Sequence, residues 1–374
     1  MLKPHRSATL TRIKLKPLIA IEAQRLLRRD KHGLETAAIS WLLSLDALDL
    51  PFEIHLFVNK GPDEELKNRF KRIRVISSPP LPYAIWEQIW LPSQLLKQPY
   101  KLLHATANTR PWFVANIPIL LTLHDLIFFE AEQRPASLYH RLGRIYRKHV
   151  VKHTLHKCRQ VFTVSAEEEK RISCLFPKLS GKLSVIPNVV NEHLLRQSPK
   201  EAAADGLLML LSRERRKNST AGLEAIAIAI RSGLQPGNIT LVGELSEKDE
   251  QFLEIAPLMG IKVNRLAHLS AEELFRQYRN HKVFLFPSLR ESFGLPVLEA
   301  FFSGCRVVMA AEIPSARLIS SSRLIKKSGD PIDLALGLMT AFEDQRDSEE
   351  IPPIPFTSGQ QAEAYLIQYQ PYLQ

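Results

Sequence analysis

The stretch VFLFPSLRESFGLPVLEA (283–300) sets an uninterrupted apolar run against a glycine-containing turn, then a second apolar pattern opened by a proline. A short apolar run bounded by a turn reads as a strand buried on both faces, which is what a parallel sheet requires. Pro296 suits the first turn of a helix, where its missing N–H costs nothing. Gly294 lets the chain turn tightly and lets another group approach the backbone. The unit is strand, loop, helix. A helix beginning near Pro296 aims its free N–H groups and positive dipole end at whatever lies above Gly294, which makes an anion site. Glu291 in the loop and Glu299 in the first helical turn, eight residues apart, then flank one phosphate-sized pocket.

The same alternation extends in both directions. PLIAIEA, FEIHLFV, RIRVIS, LLHA, PILLTLH, QVFTVS and KLSVIPN are candidate buried strands of the first half, and GLLMLLS, NITLVGE, VFLFPS and RVVMA of the second. Amphipathic stretches such as TAGLEAIAIAIRSG and SAEELFRQYRNH lie between them. Strands alternating with helices argue for parallel sheets built from βαβ units. The fold class is therefore α/β, with two Rossmann-like domains facing each other across a cleft. The expected divisions are an N-terminal domain over 1–190, a polar linker over 191–205, a C-terminal domain over 206–355, and a helix over 356–374 returning toward the N-terminal domain. Ligands of open α/β sheets bind beyond the carboxyl ends of the strands, so the residues just after each strand are the candidates.

A chain of 374 residues exceeds what one core usually accommodates, in keeping with two domains. With 24% charged and 45% hydrophobic residues it is neither disordered nor collagen-like. A formal charge of +11 directs attention to acidic partners: nucleic acid, anionic membrane or phosphorylated small molecules. No segment approaches the ~20 apolar residues that span a bilayer. The basic N-terminus reads as a lead-in to the first strand rather than a signal peptide. Cys158, Cys174 and Cys305 show no metal-ligand or disulfide-framework spacing, which suits a reducing compartment. A cytoplasmic protein is expected.

The segment ASLYHRLGRIYRKHVVKHTLHKCRQ (136–160) contains no acidic residue. Its apolar positions recur at helical spacing, so one face is expected to pack on the domain. The basic face suits either anionic lipid headgroups or plain solvation. His149 and His153 are spaced as zinc ligands often are, but no third ligand is evident, and they belong to the basic face. The aromatics are not interleaved with the basic run, and no nucleic-acid module is recognisable, so nucleic acid is not an expected partner.

Taken in order, several segments resemble the retaining glycosyltransferases of family 4, the group 1 class with the GT-B fold, in a mannosyltransferase-like form. Besides the glutamate segment these are YAIWEQIWLPSQL (83–95), LTLHDL (121–126), VFTVSAEEEKRI (161–172), KLSVIPNVV (182–190), LSRERRKN (211–218), LVGE (241–244) and SAEELFRQYRN (270–280). The resemblance covers nearly the whole chain. It implies transfer of a sugar, mannose foremost, from a nucleoside-diphosphate donor to a glycan or lipid-linked acceptor in polysaccharide or lipopolysaccharide synthesis. Glu299 would bond the ribose, and Glu291 the sugar hydroxyls. Arg213, Lys217 and the amides of the loop Phe293-Gly294-Leu295 would take the diphosphate. His124 would contact the reacting sugar from the N-terminal domain, and the Gly33 loop would lie against the donor phosphates or the acceptor. Charge builds on the departing diphosphate, and fixed cations can stabilise it. No Asp-x-Asp pair is present to hold a metal, so no cofactor or metal is expected. Arg215 and Arg216 read as solvated, and Asp125 as a turn cap. A position on the inner face of the cytoplasmic membrane is a further expectation.

Four positions depart from the family pattern. Val189 replaces the glycine of Pro-Asn-Gly, Leu211 a glycine before the basic turn, Arg306 a proline after Gly304-Cys305, and Leu318 a glutamate after Arg317. These departures motivate an alternative, a non-catalytic glycosyltransferase-like assembly subunit.

Overall fold

The computed structural model describes residues 16–29, 31, 33–114, 116–130, 138–197, 205–244, 249–250, 252, 262–310, 313–343 and 351–373. The basic lead-in through residue 15, positions 198–204 of the expected linker, and 344–350 of the acidic stretch lie outside the described residues.

The first half supplies β1 (Leu18–Glu22), β2 (Glu53–Asn59), β3 (Arg74–Ser78), β4 (Tyr100–Ala105), β5 (Ile119–Thr122), β6 (Gln160–Thr163) and β7 (Leu183–Val185). They form one parallel sheet of seven strands in the order β3-β2-β1-β4-β5-β6-β7. The second half supplies β8 (Gly206–Leu211), β9 (Asn238–Gly243), β10 (Val263–Leu266), β11 (Val283–Phe286), β12 (Arg306–Ala310) and β13 (Leu324–Lys327). These make a six-stranded parallel sheet ordered β10-β9-β8-β11-β12-β13. In each sheet the chain winds outward one way, then returns to the first strand and winds the other way. The switch points fall between β1 and β4 and between β8 and β11, where such sheets open a crevice.

All the apolar runs named above form strands. β10 and β13 were not anticipated, and both lie at sheet edges. Their sequences, VNRL and LIKK, are half exposed and carry Asn, Arg and Lys, so the signal of two-sided burial is absent.

The basic segment forms the helix Leu138–Thr154, with one correction to its expected packing. Val150, Val151 and Thr154 are buried, but Leu138, Leu142 and Ile145 face solvent. The buried apolar side chains of this helix lie in its carboxyl half; the amino half touches the domain through polar groups, with Arg144 Nε on the Phe128 carbonyl at 2.9 Å.

The last helix, Ser358–Tyr369, opens with a capping box of Thr357 and Gln360 and packs on the N-terminal domain. Tyr365 lies on Trp41, and Gln361 donates to the Pro187 carbonyl at 2.7 Å. The Tyr369 hydroxyl meets His104 Nδ1 at 2.6 Å, while His104 Nε2 meets the Thr122 hydroxyl at 2.8 Å. Burial drives the His104 pKa down to about 3, so the ring is neutral and needs both partners. Tyr369→Phe leaves a fully buried ring nitrogen unsatisfied and is expected to cost about 1–3 kcal/mol in urea denaturation. An unchanged midpoint would mean that this bond does not tie the tail to the domain.

Candidate active site

The carboxyl ends of the two sheets face each other. The Ser165 hydroxyl, after β6, donates to the Ser292 carbonyl, after β11, at 2.7 Å. Arg290 pairs with Glu130, and Arg317 with Glu167, across the same gap. A methyl group added at Gly33, the first residue of the helix Gly33–Asp46, would stand 3.2 Å from Leu295 Cδ1. The Gly33 loop of one domain therefore abuts the start of the glutamate-bearing helix of the other.

That helix spans Leu295–Phe302, with Pro296 in its first turn and Gly294 as its N-cap. Gly294 has φ +92°, in the left-handed region that disfavours a side chain. A Cβ there would lie 2.5 Å from Ile313 Cγ2 and 3.0 Å from the Ser315 hydroxyl. Ser315 fixes the loop: its N–H donates to the Phe293 carbonyl at 2.8 Å and its hydroxyl to the Gly294 carbonyl at 2.9 Å. Phe293 and Leu295 are buried on either side and anchor the turn in the core.

Glu291 is nearly buried beneath this loop. Lys217 Nζ donates to its Oε1 at 2.7 Å, Arg216 Nη1 to its Oε2 at 3.1 Å, and the Ser288 hydroxyl to Oε1 at 2.7 Å. Burial pushes the Glu291 carboxyl up, but the Lys217 ammonium and the Arg216 guanidinium outweigh it and hold the pKa below the usual value. The basic turn is also stitched to the glutamate loop by backbone, since Leu289 N–H donates to the Arg216 carbonyl at 2.8 Å. Asn218 follows in the left-handed conformation at φ 56°, which asparagine tolerates, and its amide donates to the Pro287 and Gly329 carbonyls.

The expectation for Arg216 is therefore corrected. It is not a solvated charge: its side chain is 17% exposed and bonded to Glu291. Arg213 stands elsewhere, 70% exposed, with Nε 3.5 Å from Glu244 Oε2. After β8 the chain turns through Arg215–Lys217 as a single 3₁₀ turn, which points Arg216 and Lys217 inward. Spacing in the sequence does not reveal that turn.

Glu299 is buried on the helix face, where its Oε2 accepts from the Tyr278 hydroxyl at 3.5 Å. Burial raises its pKa to about 7. The two glutamates have separate partners: Glu291 faces the cations, and Glu299 faces Tyr278.

On the N-terminal side His124 follows β5. Its Nε2–H meets the Thr106 carbonyl at 2.9 Å, and its backbone N–H donates to Asn108 Oδ1 at 2.6 Å. A carbonyl only accepts, so Nε2 carries the proton and Nδ1 is a bare acceptor. That Nδ1 is buried with no partner among the described residues. Burial lowers the His124 pKa, which keeps this tautomer neutral. Asp125 Oδ1 accepts from Ile127 N–H at 3.0 Å and caps the turn.

Beside His124, Glu22 accepts the N–H groups of Gln24 and Thr106, and burial lifts its pKa to about 7. Farther in, buried Glu87 accepts from Thr109, Gln88 and Tyr146. It lies in the π-helical turn Trp86–Trp90 at the centre of the helical segment Tyr83–Leu95. Glu87 was not singled out from the sequence. Its signal was a lone carboxylate inside the aromatic run WEQIW.

The departures from the family pattern cause no backbone strain. Val189 is buried and is not among the left-handed residues, which besides glycines are Asn108, Asn116 and Asn218 among the described residues. Leu211 closes β8, Arg306 is buried at the start of β12, and Leu318 ends the 3₁₀ turn Pro314–Leu318.

Two facing parallel sheets, with a cation–carboxylate cluster beyond β8 and β11 and a buried histidine beyond β5, fit the two-domain GT-B class of proteins. The family Glycosyltransferase Family 4 matches residues 32–194, and Glycosyl transferases group 1 matches 193–352. The chain belongs to the group 1 glycosyltransferases. A similar curated protein is O-antigen chain mannosyltransferase B of Escherichia coli, 22% identical over 237 residues. That match covers 60% of this chain and 61% of the relative's length. Among solved structures, a glycosyltransferase from Rickettsia africae aligns with TM-score 0.68 at 14% identity, covering 96% of this chain and 99% of its own. Anabaena HepE, solved in complex with UDP and glucose, aligns with TM-score 0.60 at 16% identity, covering 95% of each chain.

Proposed function

We propose that the protein transfers a sugar, mannose foremost, from a nucleoside-diphosphate donor to a glycan or lipid-linked acceptor with retention of configuration, in surface polysaccharide or lipopolysaccharide synthesis. The observation that carries this reading is the seating of Lys217 and Arg216 on Glu291 under the open N-terminus of the helix Leu295–Phe302. Two fixed cations and free amide N–H groups converge there, the arrangement needed to stabilise a departing diphosphate. Arg213, exposed beside Glu244 after β8, would be a further cation for the donor. Glu291 accepts from sugar hydroxyls, and Glu299 from the ribose. The bare Nδ1 of His124 accepts a bond from the sugar across the cleft. The likeness to a mannosyltransferase supports the sugar, and the UDP-bound neighbour supports a nucleotide in such a fold. Fixed cations serve here in place of a divalent metal, so turnover is expected to persist in EDTA.

A panel of nucleotides and nucleotide sugars tests the reading by melting temperature, because a ligand of the folded state raises it. A GDP or UDP sugar that stabilises the protein supports the assignment. No shift with any member, at concentrations far above ordinary affinities, overturns it.

Glu299 adds a pH dependence. Its folded pKa of about 7 lies above its ordinary 4.5, so its contribution to stability is present below 4.5 and is lost as pH rises through 7. Nucleotide binding has the opposite slope, because the ribose hydroxyls bond best to the ionised form. Donor affinity is expected to strengthen from pH 6 to pH 8, and Glu299→Gln to flatten that profile. A slope retained in the glutamine variant would remove Glu299 from the ribose.

The helix Leu138–Thr154 suits contact with an anionic bilayer: Leu138, Leu142 and Ile145 are exposed beside Arg141, Lys148 and Lys152. Each basic residue near such a surface contributes about 1 kcal/mol. No helix among the described residues is long and apolar enough to cross a membrane. Salt-sensitive flotation with phosphatidylglycerol vesicles is the expected behaviour.

A further inference from the structure

A cavity of about 490 Å³ opens in the N-terminal domain away from the cleft. Its walls come from the chain leading into β5 and the turn leading into β6, at the amino ends of those strands. The donor cleft lies at the carboxyl ends. The two are separate places.

Arg110 lines this cavity and is only 4% exposed. Its Nε donates to the Pro111 carbonyl at 2.9 Å, and its guanidinium lies against the Cys158 thiol. Among the described residues no Asp or Glu pairs with it. Burial pushes the Cys158 thiol up to about 11, so the sulfur stays protonated and is no counter-ion. A buried cation with no carboxylate paired to it among the described residues is costly unless an anion completes its shell. Lys157 and Arg159 stand at the same opening. Lys182 reaches the Cys158 carbonyl at 3.3 Å, and no residue from 138 to 160 is acidic. The charged side chains that line the opening are all basic.

The remaining wall is of a different kind. Trp112, Phe113 and Ile117 line it, and Phe113 is 82% exposed. The Trp112 ring stacks on His149 of the basic helix at 5.3 Å and 24°. Cations at the base, with aromatic and aliphatic groups at the rim, match an anion that carries an organic substituent. A guanidinium and two neighbouring cations are well suited to phosphate oxygens. The volume holds a phosphate and a short organic part.

We infer that this cavity binds a phosphate ester through Arg110, at a site distinct from the donor cleft. Two sources share that chemistry: a membrane phospholipid headgroup and a free phosphorylated small molecule. The proposal does not depend on the donor reading.

The test titrates the full chain with glycerol 1-phosphate, with dispersed dihexanoyl phosphatidic acid, and with phosphatidylglycerol–phosphatidylcholine vesicles. Tryptophan fluorescence is the readout, and Trp112→Phe is the blank that assigns the signal to the cavity. A saturable response in the parent, absent from the blank and weakened at least tenfold in Arg110→Met, is the expected result. Saturation by glycerol 1-phosphate identifies a free phosphate ester; saturation only by the acylated probes identifies a lipid headgroup. Should Arg110→Met fail to fold, as judged by circular dichroism, the decision passes to Lys157→Ala/Arg159→Ala, whose side chains are exposed. That variant is expected to bind several-fold more weakly and with less salt dependence. No saturable response in the parent, or parental binding in the folded variants, overturns the site. A nucleotide-induced melting shift is read separately in Arg110→Met, so the cleft and the cavity fail independently.

Discussion

Lys217→Ala is expected to lower kcat/KM for sugar transfer by about two to three orders of magnitude, the range seen when one preorganised donor to a developing charge is removed. Lys217 lies 2.7 Å from Glu291 and shares that carboxylate with Arg216, so in the proposed function it would serve both the departing charge and the fold. Its loss leaves a nearly buried Glu291 with one cation. Glu291 stays ionised because Lys217 and Arg216 together outweigh burial, and removing the first reverses much of that balance. A stability loss of about 1–3 kcal/mol should accompany the kinetic defect, typical for a hydrogen bond to a charged group. Lys217→Arg keeps the charge and should recover part of the activity. Steady-state kinetics on the three proteins, with melting curves, provide the check. Parental kcat/KM in the alanine variant would place the departing charge elsewhere.

Gly294→Ala carries the second large effect, and backbone geometry is its cause. At φ +92° an L-residue is disfavoured by about 1–2 kcal/mol. The added methyl would also stand 2.5 Å from Ile313 Cγ2, and forcing atoms into a packed core costs about 1–3 kcal/mol more. Together these predict a loss of about 2–5 kcal/mol in urea denaturation. The loop cannot relax freely, because Ser315 bonds the carbonyls on both sides of the turn. Donor binding should weaken in parallel as the helix N-terminus moves. Gly33→Ala is the internal control: its contact is 3.2 Å to the flexible end of Leu295, and a much smaller change is expected. Equal stability of Gly294→Ala and the parent would mean that the turn can open without cost.

Much of the architecture was legible because burial on both faces leaves a mark in one dimension. VFLF is apolar throughout, LIAIE and ILLT are apolar up to their last residues Glu22 and Thr122, and each is an interior strand. VNRL and LIKK were not legible, since an edge strand has one paired side and keeps polar side chains. The helix Leu138–Thr154 shows the limit from the other side. Its periodicity foretold a packed face, but which of its apolar positions meet a neighbour is a matter of three dimensions.

The site divides along the same line. Sequence alone determined the strand–loop–helix unit around Gly294, the candidacy of Glu291 and Glu299, and the two-sheet fold, because chain-local rules of turn chemistry, helix starts and two-sided burial govern those features; Lys217 and His124 became candidates through the family resemblance. Tertiary structure alone decided that Arg216 rather than Arg213 accompanies Lys217 on Glu291, that His124 presents a bare Nδ1, and that Arg110 is buried beside a cavity with no carboxylate pairing it among the described residues. The direction of a side chain in a tight turn depends on what packs against it. The state of a buried charge depends on neighbours that are distant in the chain, and adjacency in the sequence encodes neither.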